Sequence, residues 1–286
     1  IKKQNGSHCR SAHKLDAPRT FSMPAPHEVI DTRTIAASLR FGSRKDLRYS
    51  VDVAPAAEMP IQELPVPPYT LGAWLGDGNS RDARLTVAEK DNAIIEEIVR
   101  EGVSVKQNKR HSETTLSFLL GSNGRAQAGR DKSLQAALRR IGVLRSKHIP
   151  DVYLFAGYSQ RLSLLRGLMD TDGTIDKKGR CSFDNCNERL SLDVQALLSS
   201  LGIKTTARKA KAMLNGCHVN DVYRVTFYPH DGFIPFSLPR KRERVVGRMN
   251  KTRSDTRMIV DVMPVDSVPV KSISVASDDV IYIHGE

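Results

Sequence analysis

Two short segments of this chain share one unusual pattern, an apolar helical stretch that ends in Asp-Gly. The first is TLGAWLGDG at 70–78 and the second is LRGLMDTDG at 165–173, and their final aspartates, Asp77 and Asp172, are 95 positions apart. In the first segment Gly72 and Gly76 leave one helical face bare, which lets another helix approach closely. The two copies therefore predict a duplicated unit whose two helices pack side by side.

The order of elements after the first segment is repeated after the second. Apolar periodicity predicts strands and one amphipathic helix in each copy. The predicted ranges are 83–87, 92–102, 103–105 and 114–120 in the first copy, and 173–175, 180–184, 188–202 and 203–209 in the second, whose leading helix is predicted at 160–170.

The ends of the chain differ in character from this repeated unit. A capped helix is predicted at 31–40 and a strand at 49–53, and the proline-rich stretch 54–68 marks a domain boundary. Alternating residues near the C-terminus predict strands at 270–275 and 280–283. This tail can pair with strands before residue 60, so we expect one β-rich domain made from both ends, with the duplicated unit inserted in it.

The charge balance indicates the kind of partner. The formal net charge is +12, and clustered Lys and Arg side chains gain free energy when they displace counterions from a polyanion. No apolar run is long enough to cross a bilayer and no signal-like N-terminus is present, so we expect a cytoplasmic protein. The four cysteines lack the spacing of a zinc site and are expected to stay reduced.

Two aspartates at the ends of adjacent helices would be brought close together. Carboxylates at short range repel each other, and a hard divalent cation with oxygen ligands, such as Mg²⁺, removes that repulsion. A metal ion held in this way activates water and stabilises the leaving oxygen in phosphodiester cleavage. The structural alternative is that each Asp-Gly is only a turn.

The segment 165–173 closely resembles the LAGLIDADG motif of homing endonucleases, and 70–78 resembles the variant found in inteins. The resemblance covers about residues 62 to 245. It implies an α+β fold, with two pseudo-symmetric αββαββα halves at about 61–150 and 151–247 that form a saddle on double-stranded DNA. It also implies that Asp77 and Asp172 bind the catalytic Mg²⁺ or Mn²⁺, with Gly76 and Thr171 in the metal shell and Asp170 outside it.

The same family places lysines near the scissile phosphates. The segment SKHIP at 146–150 nominates Lys147, and LPRKR at 238–242 nominates Lys241. DNA contacts are expected from basic residues after the second helix of each half, although each of these charges, taken alone, is equally explained by solvation. These residues are Lys106, Lys109, Arg110, Lys204, Arg208, Lys209 and Lys211.

The arrangement of a nuclease between two β-rich ends resembles an intein, in which a Hint splicing domain is interrupted by an endonuclease. The C-terminal strands look like a conserved block of inteins in mycobacterial replicative helicases, which suggests flanking exteins of a helicase host. The Hint domain would comprise 1–60 and 248–286, with His13 and Ser272 at splicing positions. Ile1 and Glu286 replace the expected nucleophile and His-Asn end, so this sequence as given is not expected to complete splicing. We expect a monomer.

Two alternatives to an active nuclease remain open at this stage. One is a decayed endonuclease that retains only DNA binding or a structural role. The other is a LAGLIDADG-type transcription factor or RNA-splicing maturase, which uses the same saddle without cutting. Cleavage of the uninterrupted host site in the presence of Mg²⁺ separates the first interpretation from both alternatives.

Overall fold

The structure is a computed structural model that describes residues 2–3, 28–110, 112–121, 133–214, 217–230, 232–246 and 256–269. In chain order, its elements are β1 (Lys2–Lys3), α1 (Thr32–Ala37), β2 (Arg40–Phe41), β3 (Asp46–Leu47), β4 (Tyr49–Asp52), α2 (Pro68–Asp77), β5 (Arg84–Ala88), α3 (Ala93–Arg100), β6 (Val105–Arg110), β7 (Thr115–Leu120), α4 (Leu134–Arg140), α5 (Asp151–Leu154), α6 (Tyr158–Thr171), β8 (Gly173–Ile175), β9 (Cys181–Asn185), α7 (Glu188–Ser200), β10 (Thr205–Leu214), β11 (Cys217–Phe227), α8 (Pro239–Val246) and β12 (Thr256–Met258). A 3₁₀ turn at Glu89–Asp91 precedes α3.

The chain divides into two compact units. One combines 1–54 with 256–286, and the other is the continuous stretch 55–255. In the described part of the chain, no helix has the length and apolar character needed to span a bilayer.

The first unit takes strands from both ends of the sequence. Its strand β4 lies between β1 and β12 and is antiparallel to both. The C-terminal strand in this pairing, β12, precedes the tail after residue 261 for which the pairing was predicted. The predicted strands at 270–275 and 280–283, together with His13 and Ser272, lie outside the described residues.

The predicted helix near residue 31 is present as α1, and its start has a clear cause. The Asp31 carboxylate accepts a hydrogen bond from the Thr34 backbone N–H at 2.9 Å, which satisfies one of the free donors of the first turn. The helix is shorter than predicted and ends at Ala37.

The second unit is organised around α2 and α6, which pack against each other at its centre. The side chains of Leu71, Trp74, Leu164 and Leu168 on these helices are fully buried. Two antiparallel sheets accompany them, with strand orders β5-β7-β6 and β10-β11-β9-β8. One face of each sheet joins the same apolar core, so the fold is a mixed arrangement of α-helices and β-sheets.

Glycines make the close contact between α2 and α6 possible. A Cβ added at Gly72 would lie under 3.0 Å from the Leu164 carbonyl oxygen, and one at Gly167 would lie under 3.0 Å from the Tyr69 carbonyl oxygen. These neighbours are backbone atoms, which cannot move aside without shifting a helix. The predicted approach of the two helices at their glycines is confirmed in atomic terms.

The N-terminus of α2 is capped by a residue that is distant in sequence. The Glu101 carboxylate accepts hydrogen bonds from the backbone N–H groups of Tyr69 at 2.9 Å and Thr70 at 2.8 Å. An anion at this end also compensates the positive end of the helix dipole. Glu101 thereby attaches the end of α3 to the start of the central helix.

The two halves of this unit share most of their element order. Residues 158–246 run α6-β8-β9-α7-β10-β11-α8, which is the predicted αββαββα order. The first half runs α2-β5-α3-β6-β7-α4, and a single bridge between Gly78 and Leu85 stands where a first strand was expected.

One predicted strand of the first half is displaced. A strand was expected at 103–105, whereas β6 begins at Val105. Gly102 has φ of 83° and the Val103 N–H still bonds back to the Ile98 carbonyl at 3.3 Å. This helix-terminating turn delays the start of the strand.

Candidate functional site

The two motif aspartates lie at the C-terminal ends of the paired helices. Asp77 is the last residue of α2, and Asp172 is the C-cap of α6. Burial and, second to it, the negative charge of Asp172 raise the pKa of Asp77 to about 6. Burial also raises the pKa of Asp172, against a hydrogen bond that the Asn185 side-chain amide donates to Asp172 Oδ2 at 2.8 Å. The helices therefore bring both acids into one electrostatic site.

Lys147 lies beside the first of these acids. Its Nζ donates a hydrogen bond to the Gly76 carbonyl at 2.9 Å and lies 5.2 Å from the centroid of the Trp74 ring. Burial lowers the Lys147 pKa to about 8, while the charges of Asp172 and Asp77 oppose that shift. The sequence nominated this lysine from its segment alone, and the fold places it at the end of α2.

Lys241 occupies the corresponding place at the end of α6. Its Nζ donates to the backbone carbonyls of Met169 at 2.8 Å, Asp170 at 2.7 Å and Gly173 at 2.6 Å, with the Thr171 carbonyl at 3.5 Å. The residue is only 5% exposed, and burial lowers its pKa to about 8. A cation at a helix C-terminus satisfies free carbonyls and the negative end of the dipole.

The backbone carbonyls at the predicted metal positions Gly76 and Thr171 thus face lysine ammonium groups. A carbonyl oxygen has two lone pairs, so one lysine contact leaves acceptor capacity on the Gly76 oxygen. The Thr171 hydroxyl donates inside its own helix, to the carbonyls of Gly167 and Leu168, each at 3.0 Å. Any metal contact from Gly76 or Thr171 would therefore come from the backbone.

The chemistry of the donor set fits a hard divalent cation. Two carboxylates share the site, and burial first and the charge of Asp172 second raise the pKa of Asp77 there. Over the described ranges, no cluster of three or more His, Cys, Asp or Glu side chains forms a closed metal cage. Mg²⁺ commonly binds through one or two carboxylates and retains several waters, which matches this open arrangement.

Asp170 takes a different role from its neighbour Asp172. Its carboxylate is 2% exposed and accepts hydrogen bonds from the Tyr69 hydroxyl at 2.8 Å and from the backbone N–H groups of Ser237 and Leu238, each at 3.1 Å. These contacts attach α6 to α2 and to the segment before α8. Both carboxylate oxygens therefore accept hydrogen bonds from groups that hold the fold together. Asp170 is likewise outside the predicted metal shell.

The predicted DNA-contacting residues fall on or beside the strands of the two sheets. Lys106 is exposed on β6, and Lys109 and Arg110 continue that strand, although their side chains lie outside the described part. Arg208, Lys209 and Lys211 are exposed on β10. Lys204 is half-buried just before β10, and Lys209 forms a 2.8 Å ion pair with Asp221.

The sheets also present polar residues that the sequence prediction missed. Each of the two sheets has one buried face and one outward face. The pairing of the strands aligns a row of polar side chains on each outward face. Alternation of polar with apolar residues along β5 and β9 was the signal that could have identified part of these rows. These residues are Arg84, Thr86, Ser117, Thr174, Ser182, Asp184, Thr206, Arg224 and Thr226.

An open cleft connects the acids to this second sheet. It has a volume of about 600 Å³. Gly76 and Asp172 line one side, and Asn185, Lys211 and Arg224 line the other. The site is therefore accessible from the polar face of the sheet.

An ion pair joins the two halves near Lys241. Arg240 donates to Asp91 through Nε at 2.6 Å and through its second terminal nitrogen at 2.8 Å, which is a bidentate contact. Asp91 belongs to the first half and is 8% exposed, whereas Arg240 begins α8 of the second. The Arg240 guanidinium lowers the pKa of Asp91 below its ordinary value.

We expect Asp91→Asn to reduce the free energy of unfolding at neutral pH by about 1 kcal/mol, because the pair is partly exposed. For a unit of this size the midpoint of thermal unfolding should fall by about 2–4 °C. Because the Asp91 pKa is lowered in the folded state, its stabilisation is present above the unfolded pKa of about 3.9 and is lost as pH falls through the folded value. Thermal unfolding of both proteins at pH 7 and pH 3 should therefore show a difference that shrinks in acid. Equal stabilities at pH 7 would contradict this expectation, and Arg240→Gln on top of Asp91→Asn should add little.

Comparison with known proteins places this site in a family context. Residues 159–255 match the family model described as LAGLIDADG-like domain. The chain is 37% identical over 260 residues to a replicative DNA helicase, DnaB, of Mycobacterium intracellulare. The alignment covers 88% of this chain and 39% of that protein. The chain thus spans about two fifths of the length of that relative.

Two solved structures of the homing endonuclease I-DmoI are also similar. One, from a study of its mesophilic variants, has a TM-score of 0.38 and 16% identity and covers 64% of this chain and 93% of that one. The other, in complex with DNA and Mn, has a TM-score of 0.37 and 19% identity and covers 57% of this chain and 89% of that one. The family match confirms the LAGLIDADG resemblance predicted from the motif at 165–173, and it assigns residues 159–255 of this chain to the LAGLIDADG-like family.

Proposed function

We propose that this chain is an intein-borne homing endonuclease that hydrolyses both strands of a specific DNA site with a divalent metal ion. The observation that supports this most directly is the convergence of Asp77, Asp172, Lys147 and Lys241 at the ends of two adjacent helices. Two acids and two cations gathered at these helix ends, with Asp172 lining an open cleft, suit the hydrolysis of a phosphodiester.

Each group has a role that follows from its position. Asp77 and Asp172, with the backbone carbonyls of Gly76 and Thr171, would hold Mg²⁺ or Mn²⁺. When bound, the metal supplies Lewis-acid activation of water and charge stabilisation at the leaving oxygen. The Lys147 ammonium lies against the carbonyl of Gly76, which lines the cleft, and would stabilise negative charge on the reacting phosphate. Lys241 is enclosed by carbonyls, so we assign it mainly to holding the end of α6 and to balancing the two acids.

DNA binding is proposed through the polar faces of the two sheets. Thr, Ser and Arg side chains such as Thr86, Thr174 and Arg224 are suited to phosphate and base-edge contacts from strands. Lys106, Arg208 and Lys211 are exposed beside them, and the net charge of +12 favours a polyanion. Double-stranded DNA is thus the proposed substrate.

The intein assignment rests on the organisation of the chain. Residues 55–255 form one unit that interrupts another unit made from both ends of the sequence. A stretch of 260 residues aligns with part of a replicative helicase, which is the expected relation between an insert and an insert-bearing host. We therefore propose a Hint splicing domain at the ends, with His13 and Ser272 at splicing positions and a helicase as the source of the exteins.

The alternative is a LAGLIDADG protein that binds DNA without cleaving it. One observation favours it: the positive charges of Lys147 and Lys241 already offset those of Asp77 and Asp172, which reduces the need for a metal cation at the site. A direct assay separates the two functions.

The assay uses the full chain and DNA of a mycobacterial replicative helicase gene joined across the insertion point, with a scrambled duplex as the control. We expect double-strand cleavage of the joined site with Mg²⁺ or Mn²⁺ and no product with EDTA, because the acids alone cannot activate water. Products are resolved on a denaturing gel, and binding is measured by mobility shift. Tight, site-specific binding with no product in either metal would support the binding protein instead.

A further inference from the structure

The short segment that carries Lys147 is attached to the second half of the molecule at that lysine and just after it. The Asn187 side-chain amide donates to the Lys147 backbone carbonyl at 2.6 Å. Two residues later, the Ile149 N–H donates to Asp193 Oδ2 at 2.8 Å. Both partners belong to α7 or its cap, 40 and 44 residues further along the chain. The backbone at Lys147 and Ile149 is therefore anchored to the second half, while Arg145, two residues before Lys147, donates its backbone N–H to the Ser80 carbonyl of the first half at 2.7 Å.

Asn187 uses both ends of its side-chain amide. Its Oδ1 accepts from the Leu190 N–H at 3.2 Å, which caps the start of α7. Because that contact requires the oxygen, the NH₂ group is left facing the Lys147 carbonyl. The Asn187 backbone N–H also donates to Asn185 Oδ1 at 2.8 Å, and Asn185 in turn donates to Asp172. Asparagine is thus the residue type whose donor and acceptor are both used here.

These contacts form a continuous path between the two motif helices. It runs from Asp172 through Asn185 and Asn187 to Lys147, whose Nζ reaches the Gly76 carbonyl next to Asp77. A lysine has four side-chain carbons and many rotamers, so its ammonium is placed only as well as its backbone is. Holding the Lys147 carbonyl removes one large source of that freedom.

We propose that Asn187 is a positioning residue that holds Lys147 at the end of α2 and couples it to Asp172 on α6. This inference rests on the proposed nuclease function for its catalytic consequence. It assigns Asn187 no contact with DNA or metal; its effect on cleavage passes through Lys147.

The main test replaces the amide donor and keeps the helix cap. Asn187→Asp retains an oxygen that caps α7 about as well as asparagine does, but it presents an acceptor to the Lys147 carbonyl. We expect a loss of roughly 10- to 100-fold in the single-turnover rate of DNA cleavage, the range typical of outer-shell contacts. DNA affinity and the midpoint of thermal unfolding should stay close to those of the unmodified protein. Asn187→Ser, which also caps helices but carries no charge and is too short to reach the lysine, should show a similar loss.

The matched control is Asn92→Asp. Asn92 precedes α3 as Asn187 precedes α7, and it lies 95 residues earlier, which is the spacing between the two motif aspartates. Unlike Asn187, it is exposed and its side chain makes no capping hydrogen bond. The change adds the same charge at the same place in the other half. Its cleavage rate should remain within about twofold of the unmodified protein, since no lysine segment depends on it.

A double-mutant cycle separates positioning from general destabilisation. If Asn187 acts through Lys147, Asn187→Asp should have little further effect in a Lys147→Met background, because the positioned group is already gone. The proposal would be overturned if the rate losses of the two single variants multiplied in the double variant. It would also be overturned if both Asn187 variants cleaved DNA at an unchanged rate.

Hydrogen–deuterium exchange of residues 145–150 provides a reading that does not depend on cleavage. Asn187→Asp and Asn187→Ser should speed exchange in this segment, whereas Asn92→Asp should not. Faster exchange in a chain that cleaves no DNA would sink the proposed nuclease function and leave the positioning role intact. Unchanged exchange in both Asn187 variants would overturn the positioning role even if the chain is an active nuclease.

Discussion

Asp172→Asn is expected to reduce the single-turnover rate of DNA cleavage by roughly 1000-fold or more, because loss of a metal-binding carboxylate removes several kcal/mol of transition-state stabilisation. Asparagine keeps the size of the side chain and an oxygen that can still accept from Asn185. The fold should therefore be preserved. Removal of a negative charge from a DNA-facing cleft should leave DNA affinity unchanged or increase it.

The measurement is cleavage with enzyme in excess over DNA, in Mg²⁺ and in Mn²⁺, beside a mobility-shift assay. Asp176→Asn is the control, since Asp176 is an acid only four residues away whose carboxylate accepts from the backbone N–H groups of Lys178 and Arg180 in an exposed turn. It should cleave normally. An Asp172→Asn protein that cleaves within tenfold of the unmodified chain would rule out the proposed metal role of this carboxylate, and the same logic applies to Asp77→Asn.

Gly167→Ala should strongly reduce the stability of the unit built around α2 and α6. The new Cβ would lie under 3.0 Å from the Tyr69 carbonyl oxygen and from the Ala73 nitrogen, both of which belong to the backbone of α2. The two helices would have to separate, which would open the core around Leu164 and Leu168. We expect a loss of about 3 kcal/mol or more in the free energy of unfolding.

Thermal and urea unfolding followed by circular dichroism measure this loss. Gly157→Ala is the matched control at the other end of α6, because its nearest neighbour would be the flexible Ile61 side chain at 3.2 Å. Alanine at that cap position should reduce stability by only about 1 kcal/mol or less. Comparable stability of the Gly167 and Gly157 variants would mean that the helices do not approach as closely as described.

Several elements of the fold could be predicted because their causes are local. The helix at 188–200 begins after the cap Asn187 and follows its apolar period, and α1 begins at its cap Asp31. Other elements are absent from the sequence prediction. The strand β11 at Cys217–Phe227 carries Asn220, Asp221 and Arg224, which obscure a strand pattern, and it forms because β10 and β9 pair with it on both sides.

The candidate site shows the same division. Asp77 and Asp172 could be nominated because helix, glycine and acid stand together within nine residues, twice. Lys147 and Lys241 were nominated only through family resemblance, and no local pattern indicated that their ammonium groups would cap α2 and α6. The polar rows on the sheets were not predicted, because uncharged Thr and Ser residues in a strand do not form a charge cluster as the lysines and arginines do.

The sequence by itself determined that two Asp-Gly helices exist, that their glycines allow close packing, and that the chain has the charge of a protein with a polyanionic partner. These properties depend on residue type and on spacings of a few residues. Only the tertiary structure decided which groups meet. Asn187 reaches the Lys147 carbonyl across 40 residues, and Arg240 reaches Asp91 across 149. Such contacts depend on how both halves close around α2 and α6, because hydrogen bonds between distant residues follow from packing and leave no periodic signal in the chain.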